Sequence, residues 1–188
     1  MNANFKNSRI VSVILLGLLP VASLWGKPGK QVKNGGFATT PEGRIEREVG
    51  HELRLLPFFS VFDNLEFRVN SGRVELMGQV VNSALKEDAE NVVKHIEGVE
   101  TVVNNIEVLP PSPADDAIRR AEYRAIYSQP GFERYSMQAI PPIHIVVKNG
   151  QVTLEGVVAD QGDKNLAGVH ANAVSGVFSV TNNLRVEK

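Results

Sequence analysis

No cysteine occurs anywhere in the 188 residues. That absence excludes disulfides, thiolate metal sites, a cysteine nucleophile and a lipid-modified cysteine. Neither sign of charge is in excess: 20 Lys and Arg stand against 21 Asp and Glu, a formal net charge of -1. Phosphate binding needs a concentrated basic surface, so no nucleic-acid partner is expected. No apolar run is long enough to span a bilayer: the one from Ile10 to Leu19 meets Pro20, well short of the roughly 18 residues a membrane helix needs. The four histidines, His51, His95, His144 and His170, show no metal-ligand spacing with one another, and His51-Glu52 lacks the second histidine of a zinc protease helix. No Gly-x-Ser-x-Gly motif is present, so no catalytic residue, metal or cofactor is expected. What remains, 43% hydrophobic and 22% charged residues, is the composition of a chain that can bury a core.

Lys6 and Arg9 precede the apolar run, and Pro20, Ala22 and Ser23 follow it, which is the order of a signal peptide over residues 1–25. Its removal would leave 18 basic against 21 acidic residues, a net charge of -3. Residues 26–40, with Lys27, Pro28, Gly29, Asn34, Gly35 and Gly36, have no hydrophobic period and read as a flexible tether.

The rest of the chain is a repeat. Residues 65–109 align without a gap on 143–187 at a constant offset of 78, pairing Gly72 with Gly150, Gly78 with Gly156 and Gly98 with Gly176. Leu65, Phe67 and Val69 alternate with polar residues, as do Val74, Leu76, Gly78 and Val80, the period of half-buried strands. Asn70-Ser71-Gly72 and Lys148-Asn149-Gly150 lie between such strands, and Asn-Gly favours the positive backbone angles of a tight hairpin. Leu85, Ala89, Val92, Val93 and Ile96 then recur at helical spacing, opened by Asn82 or Ser83 and closed by Gly98. Val102 to Val108, and again Val180 to Val186, read as a third strand with Val102, Ile106 and Val108 on one face. An earlier helix precedes each hairpin: Ile45, Val49, Leu53 and Leu56 end at Pro57, and Ile118, Ala121, Ala125 and Ile126 end before Pro130.

The expected fold is therefore α+β: two tandem αββαβ modules, each a three-stranded mixed sheet covered by two helices. They occupy 41–109 and 114–188 with a proline-rich linker at 110–113, and the second module carries five extra residues between 130 and 142. Gly78 and Gly156 fall on inward positions of unshifted strands, so close approach of a helix or neighbouring backbone is expected there in preference to a bulge.

Gly72-Arg73-Val74-Glu75-Leu76-Met77-Gly78 and Gly150-Gln151-Val152-Thr153-Leu154-Glu155-Gly156, with Gly98-Val99, Gly176-Val177 and the Asn104-Asn105 and Asn182-Asn183 pairs, resemble the BON domain. The resemblance implies a non-catalytic periplasmic or envelope module, usually duplicated, associated with phospholipid surfaces and envelope integrity under stress. It supplies no catalytic motif. Two roles stay open: binding a phospholipid membrane surface, or assembling with other envelope proteins or with itself.

Candidate lipid contacts are Arg119, Arg120, Tyr123, Arg124 and Tyr127, a basic and aromatic cluster that could meet anionic headgroups. Phe58, Phe59 and Phe62 after Pro57 offer a lipid-facing loop or core residues. Asp115-Asp116 read as helix-start acids in preference to calcium ligands. His144, opposite Ile143, Ile145 and Val147 on its strand, is expected on the surface, and His170 packed or at an edge.

Overall fold

The structure, a computed structural model, describes residues 11–12 and 40–187. Of the segments read as signal peptide and tether, all but Val11, Ser12 and Thr40 lie outside the described residues. Val11–Ser12 forms a short strand, β1. The first module follows as α1 (Pro41–Arg54), β2 (Asn64–Asn70), β3 (Arg73–Val80), α2 (Ser83–Lys94), β4 (Thr101–Asn104) and β5 (Glu107–Val108). The second runs α3 (Pro113–Tyr127), α4 (Glu133–Ser136), β6 (Ile143–Lys148), β7 (Gln151–Val158), α5 (Gln161–Asn172), β8 (Ser179–Asn182) and β9 (Arg185–Val186).

Helix starts are set locally. Thr40 and Ser112 accept the amide hydrogens of Gly43 and Asp115, with Pro41 and Pro113 as first helical residues. Asn82 and Asp160 cap α2 and α5 in the same way. At both hairpins two successive residues have positive φ, Ser71 (47°) with Gly72 (78°) and Asn149 (53°) with Gly150 (74°), which is the backbone of a type I′ turn. Each turn is also tied to its first helix: Glu42 accepts from the Ser71 amide, and Asp115 accepts from the amides of Asn149 and Gly150.

Both sheets are mixed. β2 and β3 pair antiparallel, while β3 pairs parallel with β4 and β5 across the α2 crossover; β6, β7, β8 and β9 repeat that arrangement. Gly78 faces Leu65 in an unbroken register, and a Cβ there would lie 2.0 Å from the Asn64 carbonyl oxygen. Gly156 repeats the approach, 1.9 Å from the Pro142 oxygen. Neighbouring backbone fills the place of the missing side chain.

The third strand departs from expectation. It is broken after Asn104, where the Asn105 amide bonds the Leu76 carbonyl and the Asn104 side chain accepts from Ile106 N. The break turns Val108 outward, 38% exposed, and sends Ile106 and Leu109 inward. Alternation fails at a strand whose own side chain competes for the ladder's hydrogen bonds.

Each sheet buries one face under its two helices, giving two cores. The modules also dock. The Ile145 amide donates to the Val61 carbonyl at 2.8 Å, the Phe59 ring stacks on His144 at 5.6 Å, and Lys148 pairs with Glu107. Val61 belongs to the second core, and Ile140 packs against the first. His144, expected on the surface, is 3% exposed because the first module covers that face of β6.

Candidate functional site

Helix α3 carries the candidate lipid contacts Arg119, Arg120, Tyr123, Arg124 and Tyr127, and its packing against β6 divides them. Arg119 is 3% exposed; one guanidinium nitrogen donates to Asp116 at 2.5 Å and another to the Val147 carbonyl at 2.6 Å. Tyr127 is 6% exposed, and its hydroxyl donates to the Ile143 carbonyl at 2.6 Å while accepting from the Ile143 amide at 3.1 Å. Burial pushes that phenol far above its ordinary pKa, so it stays protonated and able to donate. These two side chains therefore satisfy the outer backbone groups of an edge strand, and they do not face solvent.

Arg120 and Arg124, one turn apart, are exposed. Tyr123 is half-buried, edge-on to Phe62 at 6.4 Å and 4.9 Å from the Tyr127 ring. Arg120 lies at the rim of a cavity of about 220 Å³ where the modules meet, opposite Phe58, Phe62 and Val81 of the first module. Of the three clustered phenylalanines, Phe59 joins the first core and Phe62 is half-buried against Tyr123. Phe58 is 72% exposed, on a backbone with φ of 69°. A bulky residue in the left-handed region is uncommon and costs about 1 kcal/mol or more. Phe58 lines the same cavity as Arg120, and Leu55 nearby in sequence is also exposed.

Beneath the cavity Asp63 is buried and accepts from the Ser60 amide and hydroxyl and from the Val81 amide. Burial raises its pKa in spite of those bonds, and Arg119 opposes the rise. The acidic pair at the start of α3 divides: Asp115 holds the hairpin and Asp116 holds Arg119. Among the described residues no cluster of three or more His, Asp or Glu could hold a metal ion. Gly98 and Gly176 seat Ile45 and Ile118, so their place is in packing.

Two buried ionisable groups escape a reading by composition. Glu122 is 0% exposed, neither carboxylate oxygen has a hydrogen-bond partner, and burial pushes its pKa up to about 8. His144 is pushed down to about 4 by the same cause. The first has a signal in sequence: it interrupts the Ile118, Glu122, Ile126 stripe at four-residue spacing, where the first module carries Val49. The second has none, because its cover comes from the other module.

The BON domain family matches residues 41–110 and 132–188, more than half of the sequence and one segment in each module. The chain belongs to the BON domain family. The second matched segment begins after α3, so the helix with the exposed arginines lies outside it. The chain is also 33% identical over 119 residues to the outer membrane lipoprotein DolP of Haemophilus influenzae, which covers 61% of this chain and 61% of that protein. It thus matches about three fifths of that relative's length. Among solved structures, CdsD, a structural protein of the type III secretion system of Chlamydia trachomatis, overlaps 77% of this BON protein and 94% of its own chain at 15% identity and a TM-score of 0.30.

Proposed function

We propose that this BON protein is an exported, non-catalytic module of the bacterial cell envelope that docks on phospholipid surfaces at the seam between its two units and supports envelope integrity under stress. The observation that carries the reading is Phe58, exposed on a left-handed backbone and lining the seam cavity together with Arg120. An exposed ring enters the interfacial region favourably, and arginines beside it meet anionic headgroups. Arg124, one turn along α3 from Arg120, adds a second exposed charge, and its neighbour Tyr123 packs on Phe62. Arg119 and Tyr127 hold α3 to β6. The resemblance to an outer membrane lipoprotein supports an envelope location.

Sedimentation with anionic and neutral vesicles across a salt series tests this. Arg120→Glu and Arg124→Glu are each expected to weaken binding to anionic vesicles at least fivefold at low salt, from about 1 kcal/mol per basic residue near the surface. Phe58→Ser is expected to lower partitioning roughly tenfold or more, by the apolar area withdrawn. Failure of both vesicle types to retain the protein at low salt would remove the reading.

A further inference from the structure

We infer that the outer edge of β2 is a strand-addition site that takes an extended, β-branched apolar segment of another polypeptide. The inference goes beyond lipid docking and uses a different part of the molecule.

The two modules treat the same edge in opposite ways. In the second, four of the six outward backbone groups of Ile143, Ile145 and Val147 are bonded: Tyr127 bonds both groups of Ile143, the Val61 carbonyl accepts from the Ile145 amide, and Arg119 donates to the Val147 carbonyl. In the first, the corresponding residues are Leu65, Phe67 and Val69, paired with β3 in the same register as their counterparts with β7. The first helices superpose at an offset of 73, since Ile45 and Ile118 seat the equivalent glycines Gly98 and Gly176. At that offset Glu46 stands for Arg119, Gly50 for Tyr123 and Arg54 for Tyr127. Among the described residues neither Glu46 nor Arg54 bonds the β2 backbone.

The open edge is met by backbone. Val11–Ser12 pairs antiparallel with it, Val11 opposite Phe67 and Ser12 opposite Glu66. Phe67 is the repeat partner of Ile145, whose amide donates to the carbonyl of the turn residue Val61. Main chain from outside the sheet thus meets the same register position in both modules, a strand in the first and a turn in the second. Main-chain hydrogen bonds supply the attraction in such an addition, and β-branched residues suit the extended backbone. Ile10-Val11-Ser12-Val13-Ile14 has that composition and indicates the kind of segment the edge takes. When residues 1–25 are removed, the edge is open to a segment in trans.

The test uses the chain from residue 26, which retains every helix and strand of both modules except β1, and a synthetic peptide of residues 9–15. Adding the peptide is expected to slow amide exchange of Leu65, Phe67 and Val69 by about tenfold or more, leaving Ile143, Ile145 and Val147 unchanged. N-methylation of Val11, whose amide faces Phe67, should abolish the slowing, whereas N-methylation of Ser12 should preserve it. Grafting the second module's caps as Glu46→Arg with Arg54→Tyr should also abolish it in a chain whose circular dichroism is unchanged. No slowing at millimolar peptide, or equal effects of the two methylated peptides, would overturn the inference. The methylated peptides decide it even if the grafted variant fails to fold.

Discussion

Glu122 shows how one side chain can be placed against its own chemistry. Its folded pKa of about 8 stands above the ordinary 4.5, so the folded state holds a proton that the unfolded chain releases. The associated stability is present below pH 4.5 and is lost as pH rises toward 8, a cost of about 3 kcal/mol at pH 7. Glu122→Val, which restores the first module's residue, is expected to raise stability by about 2 to 4 kcal/mol at pH 7 and by much less at pH 4. Urea denaturation at the two pH values checks it; an equal gain at both would place the cause in packing alone. His144 works the other way. Its folded pKa of about 4 lies below 6.5, so its contribution is present above pH 6.5 and is lost as pH falls toward 4. The wild-type protein should therefore gain stability between pH 8 and 6.5 through Glu122. It should then gain less on further acidification as His144 opposes, and His144→Phe should remove that opposition.

At the scale of the element, the strands were legible where backbone and side chain agree. Alternation in Leu65, Phe67 and Val69 holds in β2, and the positive-φ pairs at Ser71-Gly72 and Asn149-Gly150 make the expected turns. It failed in the third strand, because Asn104 bonds its own backbone neighbour and alternation cannot register that competition. Gly78 combines a φ of 111° with the near-contact to Asn64, so Gly78→Ala should cost about 3 kcal/mol or more, far above an ordinary surface change. Thermal denaturation measures it, and a shift below about 1 kcal/mol would mean that β2 can move aside. Tyr127→Phe removes a donor and an acceptor from the buried Ile143 backbone and should destabilise the second module by about 1 to 3 kcal/mol. An unchanged melting temperature would show water taking over both bonds.

For the whole molecule, the exchange of Val61 and Ile140 between cores links the stability of one unit to the other. A single calorimetric transition is expected, with equal calorimetric and van't Hoff enthalpies. Val61→Asp puts a charge into the second core and withdraws the cover of the β6 edge, so it should split the transition and lower the second module's melting. Two transitions already present in the wild type would show that docking carries no stability. The seam also decides which exposed groups can act together: Phe58 and Arg120 are 62 residues apart in sequence and line one cavity.

The repeat, the two-module α+β plan, the Asn82 cap of α2 and the hairpins were written in the sequence alone, because each rests on residues close along the chain or on a period of 2 or 3.6. Which arginines and tyrosines of α3 face solvent was decided by the packing of that helix on β6, and the burial of His144 and the closure of the β6 edge at Ile145 by the docking of one module on the other. Burial is set by what lies on the far side of a residue. For β6 that neighbour is the loop around Val61, more than 80 residues earlier, which no local pattern encodes.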